Sequence, residues 1–480
     1  MTGAISRRSF LLVGGAGVVA TAVGGIGRVR SSGSGFDPVV GGPLRSPPVL
    51  ASSGGVLVAT LEAARSQLPV AGRVVTALGY NGGLPGPTLR VHPGDLVGVS
   101  LVNRLDVPTN LHVHGLTVSP EGNGDNVFRR VAPGETGQYE YRLPADHPPG
   151  VFWYHPHVHG AVADQVFGGL YGAIIVEDPA ASAIAARDEV MVISDTTIDG
   201  GEVSGSVSAM QRMRGREGEL LLLNGQASPT IAARPGERVR WRVVNACASR
   251  YVTLQLEGHR FGVLGVDSGR TAAPQDTEQV TLAPGNRADL LITAAAGRSV
   301  LRALPHDRGG SMMGGTSTGQ ATTLATLEVT GEQAAAPSPV PVQPVPTDLR
   351  GAQISGRRTL TFAMGMGMGM GGGMTATIDG ATFDPRRVDQ DPRSGTVEEW
   401  VLRNTSTLSH PVHLHVWPMQ VVSQDGTLVA GVVVRDVVDV PAGASVTVRI
   451  AFTGPVGRTV YHCHILDHED AGMMGVVDVR

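Results

Sequence analysis

A chain of 480 residues is long enough for about three domains. Its 66 glycines and 32 prolines, with only 4% aromatic residues, fit a β-rich protein with many turns. A net charge of −4 with no basic run argues against a nucleic-acid partner or an electrostatic hold on a membrane.

The N-terminus, Ser6-Arg7-Arg8-Ser9-Phe10-Leu11-Leu12 followed by a Gly/Ala/Val stretch, reads as a twin-arginine export signal over residues 1–27, with a possible cut after Ala22. The stretch is short and rich in small residues for a spanning helix, so no stable membrane insertion is expected once it is removed. The mature chain is then periplasmic, in the cell envelope or extracellular. Residues 28–49 read as a flexible lead-in.

Three later segments share one pattern: 81–103 (NGGLPGPTLRVHPGDLVGVSLVN), 224–245 (NGQASPTIAARPGERVRWRVVN) and 379–404 (DGATFDPRRVDQDPRSGTVEEWVLRN). Each has a turn opening, an extended run, a Gly turn and an alternating strand, and they close at Asn103, Asn245 and Asn404. Nine residues on stand His112, Leu254 and His413; eleven on stand His114, Leu256 and His415. The repeat is therefore a shared fold whose outer copies carry imidazoles and whose middle copy does not. Domains are expected at 50–180, 186–331 and 349–480, with a Pro-rich extended linker at 332–348 (AAAPSPVPVQPVPT at its heart).

The first domain carries His112-Val113-His114 and His155-Pro156-His157; the third carries His413-Leu414-His415. In a strand, each pair puts two imidazoles on one face, roughly 7 Å apart, a spacing suited to neighbouring metals rather than to chelating one. In the middle domain Cys247 lies beside an apolar strand pattern and reads as a buried, inert thiol, leaving no structural disulfide. Near the start of the third domain, Met364, Met366, Met368 and Met370 alternate with glycine. Thioethers suit cuprous ion, but period two also fits a strand burying them on one face, and the core is the favoured reading.

The C-terminal run His462-Cys463-His464-Ile465-Leu466-Asp467-His468-Glu469-Asp470-Ala471-Gly472-Met473 is the most informative. If extended, Cys463 points one way while His462 and His464 point the other, so one tripeptide can touch two metal centres. Cys463, His468 and a weak Met473 supply most of a blue-copper site, with His410 as the candidate fourth ligand. The remaining histidines, His92, His147, His159, His259 and His306, are expected to be ordinary surface or core residues.

In these motifs, in this order and over almost the whole chain, the sequence resembles the multicopper oxidases, a family that includes laccases, cuprous oxidases and bilirubin oxidases. The resemblance implies an all-β protein of three cupredoxin-like Greek-key β-sandwich domains, the middle one copper-free. It implies four coppers per chain: a type 1 ion on His410, Cys463, His468 and Met473; a type 2 ion on His112 and His413; and a type 3 pair on His114, His155, His157, His415, His462 and His464. One-electron oxidation of phenols, aromatic amines or low-valent metal ions such as cuprous ion would be coupled to reduction of dioxygen to water. Glu469 matches the family's proton-donor position. The second acid departs from the pattern, because Asn123 stands where some relatives place an Asp; Asp125 is the substitute, Glu121 the second choice, and an ordinary turn carboxylate the bland alternative. Two other readings compete: exported relatives that keep the fold, have lost copper and act in envelope assembly, and two-domain copper nitrite reductases. The full ligand set stands against the first, and the eight cluster imidazoles and middle repeat against the second.

Overall fold

The computed structural model describes residues 35–179, 183–309, 320–366 and 374–480. The export signal, the start of the lead-in, Met368 and Met370 lie outside the described residues.

The described chain is mostly β-sheet, in six sheets that face one another in pairs over three apolar cores. Within each pair the chain forms some hairpins inside one sheet but crosses repeatedly to the other, the crossing pattern of Greek-key sandwiches. The same parallel pairing recurs in all three: Val56–Val70 with Leu96–Asn103, Arg187–Thr196 with Arg238–Asn245, and Ile354–Met366 with Val397–Asn404. Each pair's second strand ends on the repeat's asparagine.

That residue type has a physical reason. Asn103, Asn245 and Asn404 are all buried, and each folds its amide back over the following turn. The side-chain oxygens accept from the N–H two residues on, in Leu105 (2.9 Å), Cys247 (3.1 Å) and Ser406 (2.9 Å). Their NH2 groups donate both to the turn (Val107, Arg250, Leu408) and to a distant carbonyl (Val131, Leu282, Val440). Only an amide has both donor and acceptor at that reach. The asparagine thereby fixes where the next strand begins, and hence where the ninth and eleventh residues fall. In the middle copy these are Leu254 and Leu256, on the strand Val252–Leu256 and sealed in the second core.

Two expectations change. Residues 35–49 are docked rather than flexible: Val39 donates to the Ala71 carbonyl (2.8 Å), Leu44 to that of Thr230 (2.8 Å), and Val49–Ala51 pairs in parallel with Thr88–Val91. Neighbouring strand ends supply the backbone partners that hold them. The boundary near residue 186 is also not clean, because Ile198–Asp199 and Glu202–Val203 join the first sandwich's sheet beside Arg73–Tyr80, covering what would be an open edge. The segment 332–348 carries no strand and runs along the second sandwich, with the Gln343 N–H donating to the Ala272 carbonyl at 3.0 Å. Met364 packs against the third core, on a hairpin formed with Met374–Ile378. Among the described residues no helix is long and apolar enough to cross a membrane.

Candidate metal centres

The strand His112–His114 lies antiparallel to Gly150–His155, with His112 opposite His155, while His410–Leu414 lies antiparallel to Gly457–Cys463, with His413 opposite His462. Alternation sends Val113 and Leu414 into their sandwich cores and turns the imidazoles to the opposite faces, where the first and third sandwiches meet. His464 continues beyond Cys463, and a short helix, Leu466–Asp470, follows at once.

His410, Cys463 and His468 form one group, fully buried, with their ligand atoms within 4.8 Å of one another. His410 Nδ1 is 3.3 Å and His468 Nδ1 3.8 Å from Cys463 Sγ. The other ring nitrogens are held from behind: His410 Nε2 by the Ser406 hydroxyl (2.8 Å), and His468 Nε2 by donation to the Met213 carbonyl (3.0 Å), which comes from the second sandwich's chain. Both imidazoles thus turn Nδ1 toward the sulfur. Burial pushes the Cys463 thiol well above its ordinary range and the His468 imidazole down to about 4. Met473 is fully buried in the same core, and its carbonyl accepts from the Cys463 N–H at 3.0 Å.

The other eight imidazoles gather into three groups, the first two sharing His114: His112, His114 and His413; His114, His155 and His464; and His157, His415 and His462. Cys463 therefore sits in one centre while its two neighbours in sequence sit in two different groups of the other. The rings pack closely, His114 stacking on His413 at 3.8 Å and His112 on His415 at 3.9 Å. Burial, then the neighbouring imidazoles, hold His112, His114, His413, His415 and His464 well below the ordinary value, and His155 down to about 3. His157, to which burial and His462 contribute against an upward pull from Glu469, falls to about 4. For these seven imidazoles the shift favours the neutral form, which leaves a lone pair available to a metal.

These residues fit a metal on the structure's own terms. His112 Nε2, His155 Nε2, His413 Nε2, His114 Nδ1 and both nitrogens of His464 are buried without a hydrogen-bond partner. An unsatisfied buried polar atom costs about 1–3 kcal/mol, and here the unsatisfied atoms converge. His462 Nε2 lies 3.1 Å from His157 Nε2 and 3.2 Å from His415 Nε2, three nitrogens facing one another in a group that could hold a metal ion. The opposite nitrogens are held: His112 Nδ1 by Asp125 (2.9 Å), His155 Nδ1 by the Pro156 carbonyl (2.8 Å) and His413 Nδ1 by the Asp436 carbonyl (2.7 Å). Imidazoles with one thiolate form a donor set suited to copper.

Both sequence-predicted acids lie at this cluster. Asp125 is buried, holds His112, accepts from the Val113 N–H (3.0 Å), and is pushed up to about 8 by burial. Glu469 is fully buried on the short helix, with Oε2 3.0 Å from His462 Nδ1 and Oε1 3.6 Å from His157 Nε2. Burial would raise it, but the two imidazoles outweigh burial and leave it below the ordinary carboxylate range. Glu121, the second choice, is exposed. His147 is buried and satisfied, between the Thr117 N–H and the Pro148 carbonyl, and His159 packs against Phe383. Sequence reasoning did not single out Ser406, Met213 or Asp436, which hold ligands from behind.

Two β-sandwiches pool imidazoles at their interface, next to a buried cysteine with two imidazoles of its own, and these groups could hold metal ions. Family models described as "Multicopper oxidase" match residues 62–181, 153–320 and 356–480. The chain belongs to the multicopper oxidases and is an oxidoreductase of that family. It is 28% identical to "Multicopper oxidase MmcO" of Mycobacterium tuberculosis, over 98% of this chain and 96% of that one. It is 27% identical to a laccase of Bacillus subtilis (84% and 90%), and 31% identical to "Cell division protein FtsP" of Sodalis glossinidius (85% and 84%). Among solved structures, a Campylobacter jejuni multicopper oxidase described as a metallo-oxidase superposes with TM-score 0.81 at 28% identity, covering 92% of this chain and 95% of that one.

Proposed function

We propose that the chain is an exported four-copper oxidase, taking single electrons from phenols, aromatic amines or low-valent metal ions such as cuprous ion and delivering them to dioxygen. The observation that supports this best is the tripeptide His462-Cys463-His464, which spans both centres. His410, Cys463, His468 and Met473 would hold the type 1 ion, and His112 and His413 the type 2 ion. His114, His155 and His464 would hold one type 3 ion, and His157, His415 and His462 the other. When bound, the coppers would supply one-electron acceptance at the thiolate site and four-electron reduction of dioxygen at the cluster. Cys463 joins the two centres through its own backbone, so the route between them is a few covalent bonds and two imidazoles. Asp125 and Glu469, buried against different imidazoles of the cluster, would carry the protons that oxygen reduction consumes. Domains at 50–180, 186–331 and 349–480 fit this reading, with the linker at 332–348 and the middle one free of copper. The N-terminal twin-arginine pattern supports export to the periplasm, the envelope or the medium.

The likeness to FtsP favours a second reading, a fold retained for envelope assembly. The complete set of inward-facing ligands weighs against it. Metal analysis of copper-loaded protein decides between them: about four coppers per chain, with an intense red absorption that Cys463→Ser abolishes, supports the oxidase. One copper, or mainly zinc, refutes it. Steady-state kinetics on cuprous ion and on a phenol, side by side, would then sort the substrates.

A further inference from the structure

The second sandwich contributes none of the imidazoles, yet one of its side chains reaches the cluster. Arg287 opens the strand Arg287–Thr293 and is 0% exposed. Its guanidinium grips Asp436 of the third sandwich as a fork, Nη1 on Oδ1 and Nη2 on Oδ2, both at 2.5 Å. Its Nε donates to the Val151 carbonyl of the first sandwich (3.1 Å), and Asp267 of its own sandwich lies 3.2 Å away. One side chain thus ties all three together.

Asp436 in turn touches two ligands. Its Oδ1 lies 3.1 Å from His114 Nε2, its carbonyl accepts from His413 Nδ1 at 2.7 Å, and Ser268 donates to its Oδ2 at 3.1 Å. We infer that Arg287 is a positioning residue for the cluster, acting through Asp436 to fix which nitrogen of His114 faces the metal and how His114 and His413 stack. This rests on the copper reading proposed above. With the carboxylate clamped by the fork, His114 must carry its proton on Nε2, which leaves Nδ1 free. His413 carries its own on Nδ1, which leaves Nε2 free, and both free atoms are buried without a partner. Without the guanidinium the carboxylate keeps only a hydroxyl and an imidazole, and nothing holds its plane. The site is also closed to repacking: Gly115 has φ +89°, and a Cβ there would lie 2.5 Å from Arg287 Nη2 and 2.9 Å from Asp436 Oδ2. A neighbouring pair marks the contrast, since Arg240 and Asp289, the latter on the same strand, are equally buried (2.6 Å) but touch no ligand.

The test uses the full-length copper-loaded chain with Arg287→Lys, Asp436→Asn and, as control, Asp289→Asn. Type 2 copper is followed by its paramagnetic resonance and by its release to a chelator, and the blue band gives the number of folded, type 1-loaded molecules. Disturbing a group that orients a ligand typically costs 10–100-fold in metal affinity. Arg287→Lys and Asp436→Asn should lose type 2 copper about 10- to 100-fold more readily, with an altered resonance and an intact blue band, while Asp289→Asn behaves as wild type. Should Arg287→Lys fail to fold, Asp436→Asn still decides. Wild-type retention and resonance in both variants, or the same loss in Asp289→Asn, would overturn the inference. A wild-type chain with no type 2 signal would overturn the copper reading beneath it.

Discussion

Prepared without copper, the chain should lose stability steeply on mild acidification. Buried His155, His157 and His468 have their folded-state values lowered to about 3, about 4 and about 4. For a lowered value the stabilisation is complete above the unfolded histidine's value of about 6.5 and is lost as pH falls below it. Between about pH 6 and 4.5 the unfolded chain takes up a proton on each imidazole while the folded chain takes none. Each such proton removes about 1.4 kcal/mol per pH unit. Asp125 acts the other way: raised to about 8, its carboxyl is protonated only in the folded state through this window, so acid favours folding there. His147, also lowered to about 4, adds a fourth such imidazole, while Asp470 and Asp267, raised to about 7 and about 6, join Asp125 on the other side. Four against three leave a net loss of about 1.4 kcal/mol per pH unit, to which His112, His114, His413, His415 and His464, all held well below the ordinary value, add in the same direction. Against a total stability of about 5–15 kcal/mol, the copper-free chain should be measurably less stable at pH 5.5 than at pH 7.5. Urea unfolding at pH 7.5, 6.5 and 5.5, followed by tryptophan fluorescence, measures the slope. Copper-loaded protein should show a much shallower one, since ligation keeps the imidazoles unprotonated. Stability that is flat or rising from pH 6.5 to 5.5, or equal slopes with and without copper, would refute the reasoning.

Leu254→Ala should cost about 2–5 kcal/mol, because the side chain is fully buried in the second core; copper per folded molecule should stay unchanged, and selective metal loss would contradict a copper-free middle sandwich. Glu469→Gln and Asp125→Asn should each keep the blue band but slow reoxidation by dioxygen in stopped flow, since shape is kept and the titratable proton removed; wild-type reoxidation in both would count against their proton roles. Replacing Met364, Met366, Met368 and Met370 by Leu should leave stability within about 1.5 kcal/mol per site and activity on every donor unchanged if they serve the core; a loss confined to cuprous ion would instead assign them to metal capture.

The ligands were legible because metal chemistry restricts residue type and strand geometry restricts spacing, so the paired histidines carried their placement with them. The repeat was legible for a related reason: Asn103, Asn245 and Asn404 solve the same turn three times with the same side chain. Arg287 and Asp436 were not, because neither belongs to a repeated motif and each finds its partner 149 residues away in sequence. The docking of residues 35–49 was missed on similar grounds, since backbone groups find partners irrespective of side-chain type. The boundary near residue 186 was blurred by two-residue strands too short to show a period.

The helix Leu466–Asp470 spends four successive side chains on four destinations. Asp467 is forked by Arg216, with Nη2 at 2.6 Å from Oδ1, His468 faces Cys463, Glu469 faces His462, and Asp470 accepts from the N–H groups of Gly160, Val162 and Ala163. Each added or removed residue would turn the helix by about 100° and hand every one of those positions to the wrong neighbour. The segment from Cys463 to Met473 should therefore accept point substitutions far more readily than changes of length. Anyone retuning such an enzyme must recode that stretch in place and keep insertions and deletions for exposed turns such as Asp425-Gly426.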